Sequence, residues 1–362
     1  AHVDHSPIEM TFKSSLNDAI FNGTLYLSTM FDSYSKLILA VYASFEKPSY
    51  RSTMMLLREC YRRHGVLPII IVQDRGSDFE SNYNDETLAA LGIHKRRRPV
   101  GASRYGSAIE RSFGISETEL IHTLEGNRQL QKLGRSLSST HNPNKFATWT
   151  PSEFYIELKE YAYHRYAERI RSSICESPLN RFNRSISSFD KKPGIKVKSD
   201  QGFYLATMPI KRTKNGFCTL VESQIKFNHI RYRLSKSVPG YAGGRLSVLV
   251  KYDPYDIRHI WGKISNRWVQ FNTNDQLVRE CIDKHTKYPH LEVYALRLRQ
   301  QQLYRSAENA AVPNLREPEE NTTPLLPAKS KVDSASRRGI KLDVKSIKAP
   351  RVEVLEGGPY GC

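Results

Sequence analysis

Three acidic residues carry the chemistry that this sequence offers. They are Asp4 in His-Val-Asp-His-Ser, Asp74 in Ile-Ile-Val-Gln-Asp-Arg-Gly-Ser-Asp-Phe, and Glu110 in Gly-Ser-Ala-Ile-Glu-Arg-Ser-Phe-Gly. Thirty-five residues separate Asp74 from Glu110. Carboxylate oxygens suit hard cations such as magnesium, so acids that converge from distant segments point to a divalent-metal site. Two such ions roughly 4 Å apart can activate an incoming oxygen and stabilise a departing one, which is the chemistry of cutting and joining phosphodiesters. Three carboxylates are a workable set, because water and the substrate phosphate fill the other coordination positions. Without metal they repel one another, so metal binding and assembly of the site should be coupled. Each acid alone says little, since aspartates often follow strands and helical glutamates are usually just solvated.

The elements that must position these acids can be read from pattern. Residues 24–31 and 37–45 are apolar and β-prone, and Asp32-Ser33-Tyr34-Ser35 between them reads as a hairpin turn with Asp32 as a turn acid. Residues 50–64 follow helical spacing, with Thr53, Leu56, Leu57, Cys60, Tyr61 and His64 on one buried face, Ser49 as cap and Gly65 as stop. His64 reads as a packed or helix-terminal histidine. Pro68 opens the run Ile69–Val72, a short apolar strand of the kind covered on both faces, and Asp74 follows its carboxyl end. A short helix over 84–91, a strand over 93–98, a helix over about 105–124 that carries Glu110, and a helix over about 151–170 complete a mixed α/β layer.

The formal charge is +18 on 362 residues, with 39% hydrophobic residues to supply a core. That surplus favours a polyanionic partner, nucleic acid above an anionic membrane. No apolar stretch approaches the roughly 20 residues of a spanning helix, so no membrane role is expected. Cys60, Cys175, Cys218, Cys281 and Cys362 are scattered and odd in number, which argues against a disulfide framework and for a reducing compartment. Only three residues precede Asp4, and we read the chain as a fragment of a longer protein.

The pattern changes after residue 185. Short β-like runs at 202–208, 216–220, 224–227, 230–234, 246–252, 257–263 and 267–271, broken by turn residues, predict a small all-β barrel. Residues 289–308 look helical. Residues 309–362 hold six prolines and one aromatic, Tyr360, and predict a largely disordered tail.

Two segments resemble the second and third motifs of the integrase catalytic core: Asp74-Arg75-Gly76-Ser77-Asp78-Phe79 and Tyr105-Gly106-Ser107-Ala108-Ile109-Glu110-Arg111-Ser112-Phe113-Gly114. His2-Val3-Asp4 resembles the first motif. Gly243–Asp256, with Tyr252-Asp253-Pro254-Tyr255-Asp256, is similar to the stretch in the barrel of Mu transposase and TnsB that follows the core. Over roughly residues 1–300 the chain resembles the TnsB-type transposases of cut-and-paste elements. The resemblance implies an RNase H-like core, a mixed five-stranded sheet with helices, over 1–175. A linker over 176–194, a Mu-transposase-type barrel over 195–275, a helical segment over 276–308 and a flexible, partner-binding tail over 309–362 would follow.

The resemblance implies D,D,E chemistry with two magnesium ions, for which manganese is an expected substitute. Asp4 would bridge both ions, Asp74 would help hold one and Glu110 the other. The enzyme would free a 3′ hydroxyl at the transposon end and use it to attack target DNA. The family often has Asn after the second aspartate where this chain has Arg75, which bears on local hydrogen bonding rather than on the ligand. Asp78 is a rival second ligand, but it leaves only thirty-one intervening residues before Glu110. The alternatives are a retroviral- or phage-type integrase with the same core and a non-catalytic DNA-binding relative. Bacterial, cytoplasmic, DNA-associated work is implied, with further transposase copies on the ends.

For DNA, Lys95, Arg96, Arg97 and Arg98, with Arg104 and Arg111, would flank the acids with positive charge and hold phosphate. The alternative for the first four is a charged edge strand that deters aggregation. In the barrel, Lys226, Arg231 and Arg233 alternate with Phe227 and Tyr232, which suits a nucleic-acid surface, although such tyrosines are often core or cross-strand pairs. In the TnsB group the tail is implied to bind a TnsC-type AAA+ ATPase, with a TnsA-type endonuclease as a further partner. Leu342, Val344, Ile347, Val352, Val354 and Leu355 are the apolar residues of the expected docking piece. Deleting residues 310–362 should spare DNA binding and abolish ATPase association in a pull-down. Association that survives the deletion would rule out this role for the tail.

Overall fold

The computed structural model describes residues 1–297 apart from 17–19, 22, 74–81, 98–118, 128–146, 190–192, 199–200, 211–216, 229, 236–237, 239–240, 285–286, 289 and 294–295. The chain divides into two units, Ala1–Ala311 and Val312–Cys362, and every described residue belongs to the first.

The apolar, β-branched runs near the start form β1 (His2–Ile8), a small separate ribbon of β2 (Phe12–Lys13) and β3 (Ile20–Phe21), then β4 (Leu25–Phe31) and β5 (Ile38–Ser44). The ribbon has no counterpart in the sequence reading. Asp32 does close the hairpin between β4 and β5: its Oδ2 accepts from the Ser35 backbone N at 2.8 Å and from Ser35 Oγ at 2.6 Å.

Helix α1 (Tyr50–His64) begins at Ser49, whose side chain accepts from Arg51 N, and ends at Gly65. Gly65 sits at φ 68°, where a side chain would be strained, and its N–H closes on Tyr61 O at 2.7 Å. The single buried stripe expected here is too narrow: every residue from Arg51 to Cys60 is buried, while Tyr61 and His64 are only half-buried. His64 is packed as expected, its Nε2 3.3 Å from Leu39 O and its ring edge-on to Phe182.

Strand β6 (Ile70–Gln73), helix α2 (Asn82–Ala90) and strand β7 (His94–Arg97) follow. β1 pairs antiparallel with β4 and parallel with β6, and β6 pairs parallel with β7, giving the sheet order β5-β4-β1-β6-β7. This is the expected mixed five-stranded sheet of an RNase H-like core. β6 departs from its reading in one respect. Ile71 and Gln73 are buried, Ile70 and Val72 are half-buried, and Ile69 is 49% exposed, so its two faces are not equally covered.

Each face of the sheet has its own core. On one, Val3, Met30 and Ile71 pack with Met54 and Leu57 of α1. On the other, Ile8, Leu27 and Phe31 pack with Phe154, Tyr155 and Leu158 of α3 (Pro151–Glu160). A capping box at Thr150 and Glu153 starts α3. It continues through a π turn (Tyr161–Arg165) and one α turn (Tyr166–Glu168). The π turn brings the Tyr163 hydroxyl 3.0 Å from both the Val41 amide, from which it accepts, and Glu59 Oε1, to which it donates.

Two further helices follow. α4 (Pro178–Ser187) lies inside the interval 176–194 expected as a linker, and its Leu179 and Phe182 pack on the α1-side core. α5 (Gln201–Thr207) replaces the β-like run expected at 202–208. The correction has a tertiary cause. Phe203 and Thr207, one helical turn apart, are buried, Phe203 against Tyr61 of α1, and this packing overrides a weak strand propensity.

Strands β8 (Phe217–Val221), β9 (Gln224–Phe227), β10 (Ile230–Leu234), β11 (Arg245–Tyr252), β12 (His259–Ile264) and β13 (Arg267–Asn272) form the expected barrel. It is closed, in the order β10-β13-β12-β11-β8-β9, and every pair is antiparallel. Inward residues such as Ile225, Tyr232 and Phe271 alternate with outward polar ones, while Phe217 and Val221 leave apolar surface exposed on β8. A Cβ on Gly262 would lie 2.7 Å from the Phe271 ring, so glycine lets that ring fill the interior. Helix α6 (Gln276–Asp283), capped by Asp275, follows, and residues 290–293 and 296–297 are helical again, within the segment expected to be so. Among the described residues, no helix is long and apolar enough to cross a membrane.

The Tyr252-Asp253-Pro254-Tyr255 stretch joins barrel to sheet. Arg58 of α1 donates to Asp253 Oδ2 at 2.7 Å, to Thr207 Oγ1 at 2.8 Å and to Tyr204 O at 2.7 Å. Arg51 of α1 pairs with Glu46 and donates to the Tyr252 hydroxyl at 3.0 Å. Asp253 Oδ1 accepts from the Tyr255 amide at 2.8 Å, and the Tyr255 hydroxyl meets that of Tyr155 at 3.0 Å. Lys251 is buried beside them, donating to Leu205 O at 2.5 Å, and burial with the nearby Arg58 charge pushes its ammonium down to about 8.

Arg58→Met keeps much of the bulk but strands the Asp253 carboxylate and two acceptors. It should cost about 3 kcal/mol in denaturant unfolding, the low end for breaking a buried pair because Asp253 keeps some solvent. A loss below about 0.5 kcal/mol would show that the joint contributes little. A second expectation concerns pH. His290 is buried against Tyr255 and Tyr288, and burial, reinforced by the Lys159 charge, pushes its imidazole down to about 3. Because the folded value lies below the ordinary 6.5, its contribution is complete above pH 6.5 and drains away as pH falls towards 3. His290→Phe should therefore flatten stability against pH between about 6.5 and 5, by at most about 1.4 kcal/mol per pH unit. Some slope should persist, because burial also holds His5 down to about 4. An unaltered slope in His290→Phe would place the titration elsewhere.

Candidate active site

The central strand of the sheet presents Asp4. β1 lies between an antiparallel and a parallel neighbour, and Asp4 is half-buried opposite Thr29 of β4. The His5 amide donates to Asp4 Oδ1 at 2.8 Å, which turns the carboxylate along the strand. Strand alternation puts Asp4 on the face of Leu27, Thr29 and Phe31, away from α1. Its neighbour His5 points to the other face, where Nδ1 meets Ser28 Oγ at 2.8 Å. Burial pushes the His5 imidazole down to about 4, so it is neutral near pH 7.

Asp74, its rival Asp78, and Glu110 lie outside the described residues, as do Arg98, Arg104, Arg111 and the tail residues Leu342, Val344, Ile347, Val352, Val354 and Leu355. Strand β6 ends at Gln73, one residue before Asp74 in the chain. His2 pairs with Val72, Asp4 is two residues beyond His2, and Asp74 is two residues beyond Val72 in the chain. Among the described residues no group of three His, Cys, Asp or Glu could hold a metal ion, and Asp4 is the described member of the expected set. Its half-exposed carboxylate is a hard oxygen donor, which fits magnesium by chemistry.

The described part of the basic run, residues 95–97, alternates between the two faces of the sheet. Lys95 pairs in register with Ile71 and Arg97 with Gln73, residues buried on the α1 side. Lys95 Nζ reaches Asp85 Oδ1 of α2 at 2.6 Å, and Gln73 bonds Thr53 of α1 and Asn84 of α2. Arg96 pairs with Val72 and so shares the face of His2 and Asp4. His2, two residues before Asp4 on β1, lies on the same face of the sheet as Asp4.

In the barrel, Phe227 and Tyr232 are core while Lys226, Arg231 and Arg233 are exposed, so the cross-strand reading holds for the aromatics. Arg231 lies directly opposite Lys226, an unfavourable like-charge pair unless an anion joins them. Arg231 and Arg233, with Ser235, Asn272 and Asn274, line an open cleft of about 670 Å³. Its one acid, Asp275, is engaged in capping α6 and accepting from Arg297 at 2.7 Å.

Residues 2–126 match the family model of the TnsB C-terminal domain. Over 242 residues the chain is 24% identical to the transposase for transposon Tn552 of Staphylococcus aureus, covering 65% of this chain and 46% of that protein. The chain thus spans about half the length of the curated relative it matches. Among solved structures, a chain of the simian T-cell lymphotropic virus intasome in complex with PP2A regulatory subunit B56 gamma is 12% identical, with a TM-score of 0.33 over 75% of this chain and 76% of that one. The catalytic core domain of BIV integrase is 12% identical, with a TM-score of 0.30 over 52% of this chain and 95% of that one. The family model over residues 2–126 and the transposon relative are what the chain is similar to, and both point towards TnsB-type transposases.

Proposed function

We propose that this chain is the catalytic part of a DNA transposase that frees the 3′ ends of a transposon and joins them to target DNA. The observation that carries the reading is Asp4 on the central strand, in a register that two further residues on each strand would extend to Asp74. Asp4, Asp74 and Glu110 would hold two magnesium ions. Such a pair, when bound, supplies Lewis-acid stabilisation of charge on the attacking and leaving oxygens.

The chain's own work is to place the reacting strands. In the first reaction a water oxygen bonds to phosphorus and the bond to the transposon 3′ oxygen breaks, leaving a 3′ hydroxyl and a flanking 5′ phosphate. In the second, that hydroxyl oxygen bonds to a target phosphorus and a target 3′ oxygen leaves. In both, the attacking oxygen loses a proton and the leaving oxygen gains one. Joining exchanges one phosphodiester for another, so it needs alignment rather than an energy source. Basic side chains beside the acids would fix the phosphates without reading sequence.

Transposon-end DNA, target DNA and further transposase copies are the partners this chemistry requires. A TnsC-type ATPase on residues 342–355 and a TnsA-type endonuclease belong to the same reading, as does bacterial cytoplasmic work on DNA. The barrel and its Tyr-Asp-Pro joint favour a transposase over a retroviral- or phage-type integrase.

The test is joining of a pre-cleaved transposon end into plasmid DNA with magnesium. Asp74→Asn should reduce joining by about 1,000-fold or more while leaving DNA binding in place. Joining retained by that variant would remove Asp74 from the metal site, and absence of joining by the unaltered chain would favour a non-catalytic DNA-binding role.

A further inference from the structure

Among the described residues of the basic run, 95–97, one side chain is set apart by the pleat of the sheet. Successive residues of a strand point to opposite faces, and registered residues of parallel neighbours point to the same one. Lys95 and Arg97 therefore share the side of Ile71 and Gln73, where α1 and α2 lie and where Lys95 meets Asp85. Arg96 registers with Val72, and Val72 with His2, so Arg96, Val72 and His2 make one row across three strands. Asp4 is the next residue of β1 on that same face. With strands about 4.8 Å apart and about 3.3 Å per residue, the Arg96 and Asp4 α-carbons are separated by about 12 Å. Two side chains and one phosphate between them fill such a span. Arg96 is exposed, on the sheet's edge strand, and Val72 beside it is half-buried.

We infer that Arg96 is a positioning residue for the phosphoryl chemistry at Asp4, binding the non-bridging oxygens of a DNA phosphate that flanks the scissile bond. This deepens the transposase reading and rests on it. Lys95, by contrast, reaches Asp85 on the helix-covered side, the face that Arg97, itself exposed, shares by register. A planar guanidinium can hold two phosphate oxygens at once, which fixes the phosphate's orientation as well as its position. The competing role for Arg96 is to guard an exposed sheet edge against pairing with another strand.

The experiment compares the full chain with Arg96→Ala, Arg96→Lys and Arg184→Ala. Arg184 is an exposed cation on α4, which packs on the opposite face, and controls for net charge. Two quantities are read: the salt dependence of binding to a short DNA duplex, and the rate of joining of a pre-cut end with magnesium. Arg96→Ala should lower the slope of log affinity against log salt by about one and slow joining by about tenfold or more. Arg96→Lys should restore the slope but not the joining rate, because an ammonium cannot reproduce the fork. Arg184→Ala should join at the unaltered rate. Equal losses in Arg96→Ala and Arg184→Ala would overturn the inference, as would a loss of solubility or melting temperature with joining per folded molecule unchanged. If the unaltered chain does not join DNA but Arg96→Ala still loses the salt-slope increment, the transposase reading fails and the phosphate contact stands.

Discussion

The joint between α1 and the barrel is the constraint on which the rest of the molecule depends. Arg58 and Arg51 are both buried on α1, among apolar residues such as Met54, Met55 and Leu57. Burying a guanidinium is costly unless its donors are all used, and here they find Asp253, Thr207, Tyr204 and, from Arg51, Glu46 and Tyr252. That requirement fixes the position of three things at once: the last turn of α5, the end of β11 and the helix that backs the sheet. Tyr255 extends the same joint to α3 through Tyr155, whose hydroxyl donates to Val41 O of β5 at 2.9 Å. The barrel is thus keyed to the strands that carry the candidate site. The tyrosines of this joint have their hydroxyl protons held firmly, since burial raises Tyr155, Tyr252 and Tyr255 far above the ordinary phenol range.

A second polar cluster stiffens the other flank. Glu59 of α1 is buried and takes Arg62, Lys159 and the Tyr163 hydroxyl. Burial alone would raise its carboxyl, but the hydrogen bonds and charges of Arg62 and Lys159 outweigh it and hold the group at about 2. Glu59 is therefore ionised across the working range and ties α1 to α3. The two clusters lie on one helix, one joined to the barrel and one to α3, so α1 serves as the spine of the described unit.

Much of this was legible in the sequence, and the exceptions share a cause. The strands from β4 onward, the turn acid Asp32, both caps of α1 and six barrel strands follow from alternation and turn residues, which act locally. What was not legible depends on partners distant in the chain. The burial of Arg51 and Arg58 requires the barrel, 195 residues away from Arg58 at Asp253. The helical state of residues 201–207 requires Tyr61 and Arg58. That Arg96, rather than Lys95 or Arg97, shares the face of Asp4 requires the parallel register with β6, which no local pattern encodes. The Tyr-Asp-Pro stretch was visible as a family mark, but its physical meaning as a joint emerged only from its contacts. Of the acids themselves, Asp4 lies on β1, while Asp74 and Glu110 lie outside the described residues.

The closure of the barrel has a consequence for how copies of such a protein can meet and part. A ring in which every strand has two neighbours offers no free ladder of amides and carbonyls to another chain. Contacts through it must be made by side chains, which can be released one by one, rather than by backbone pairing that would have to be torn out in register. Any chain that meets the barrel meets side chains alone, and the backbone edges of the five-stranded sheet are left to β5 and β7.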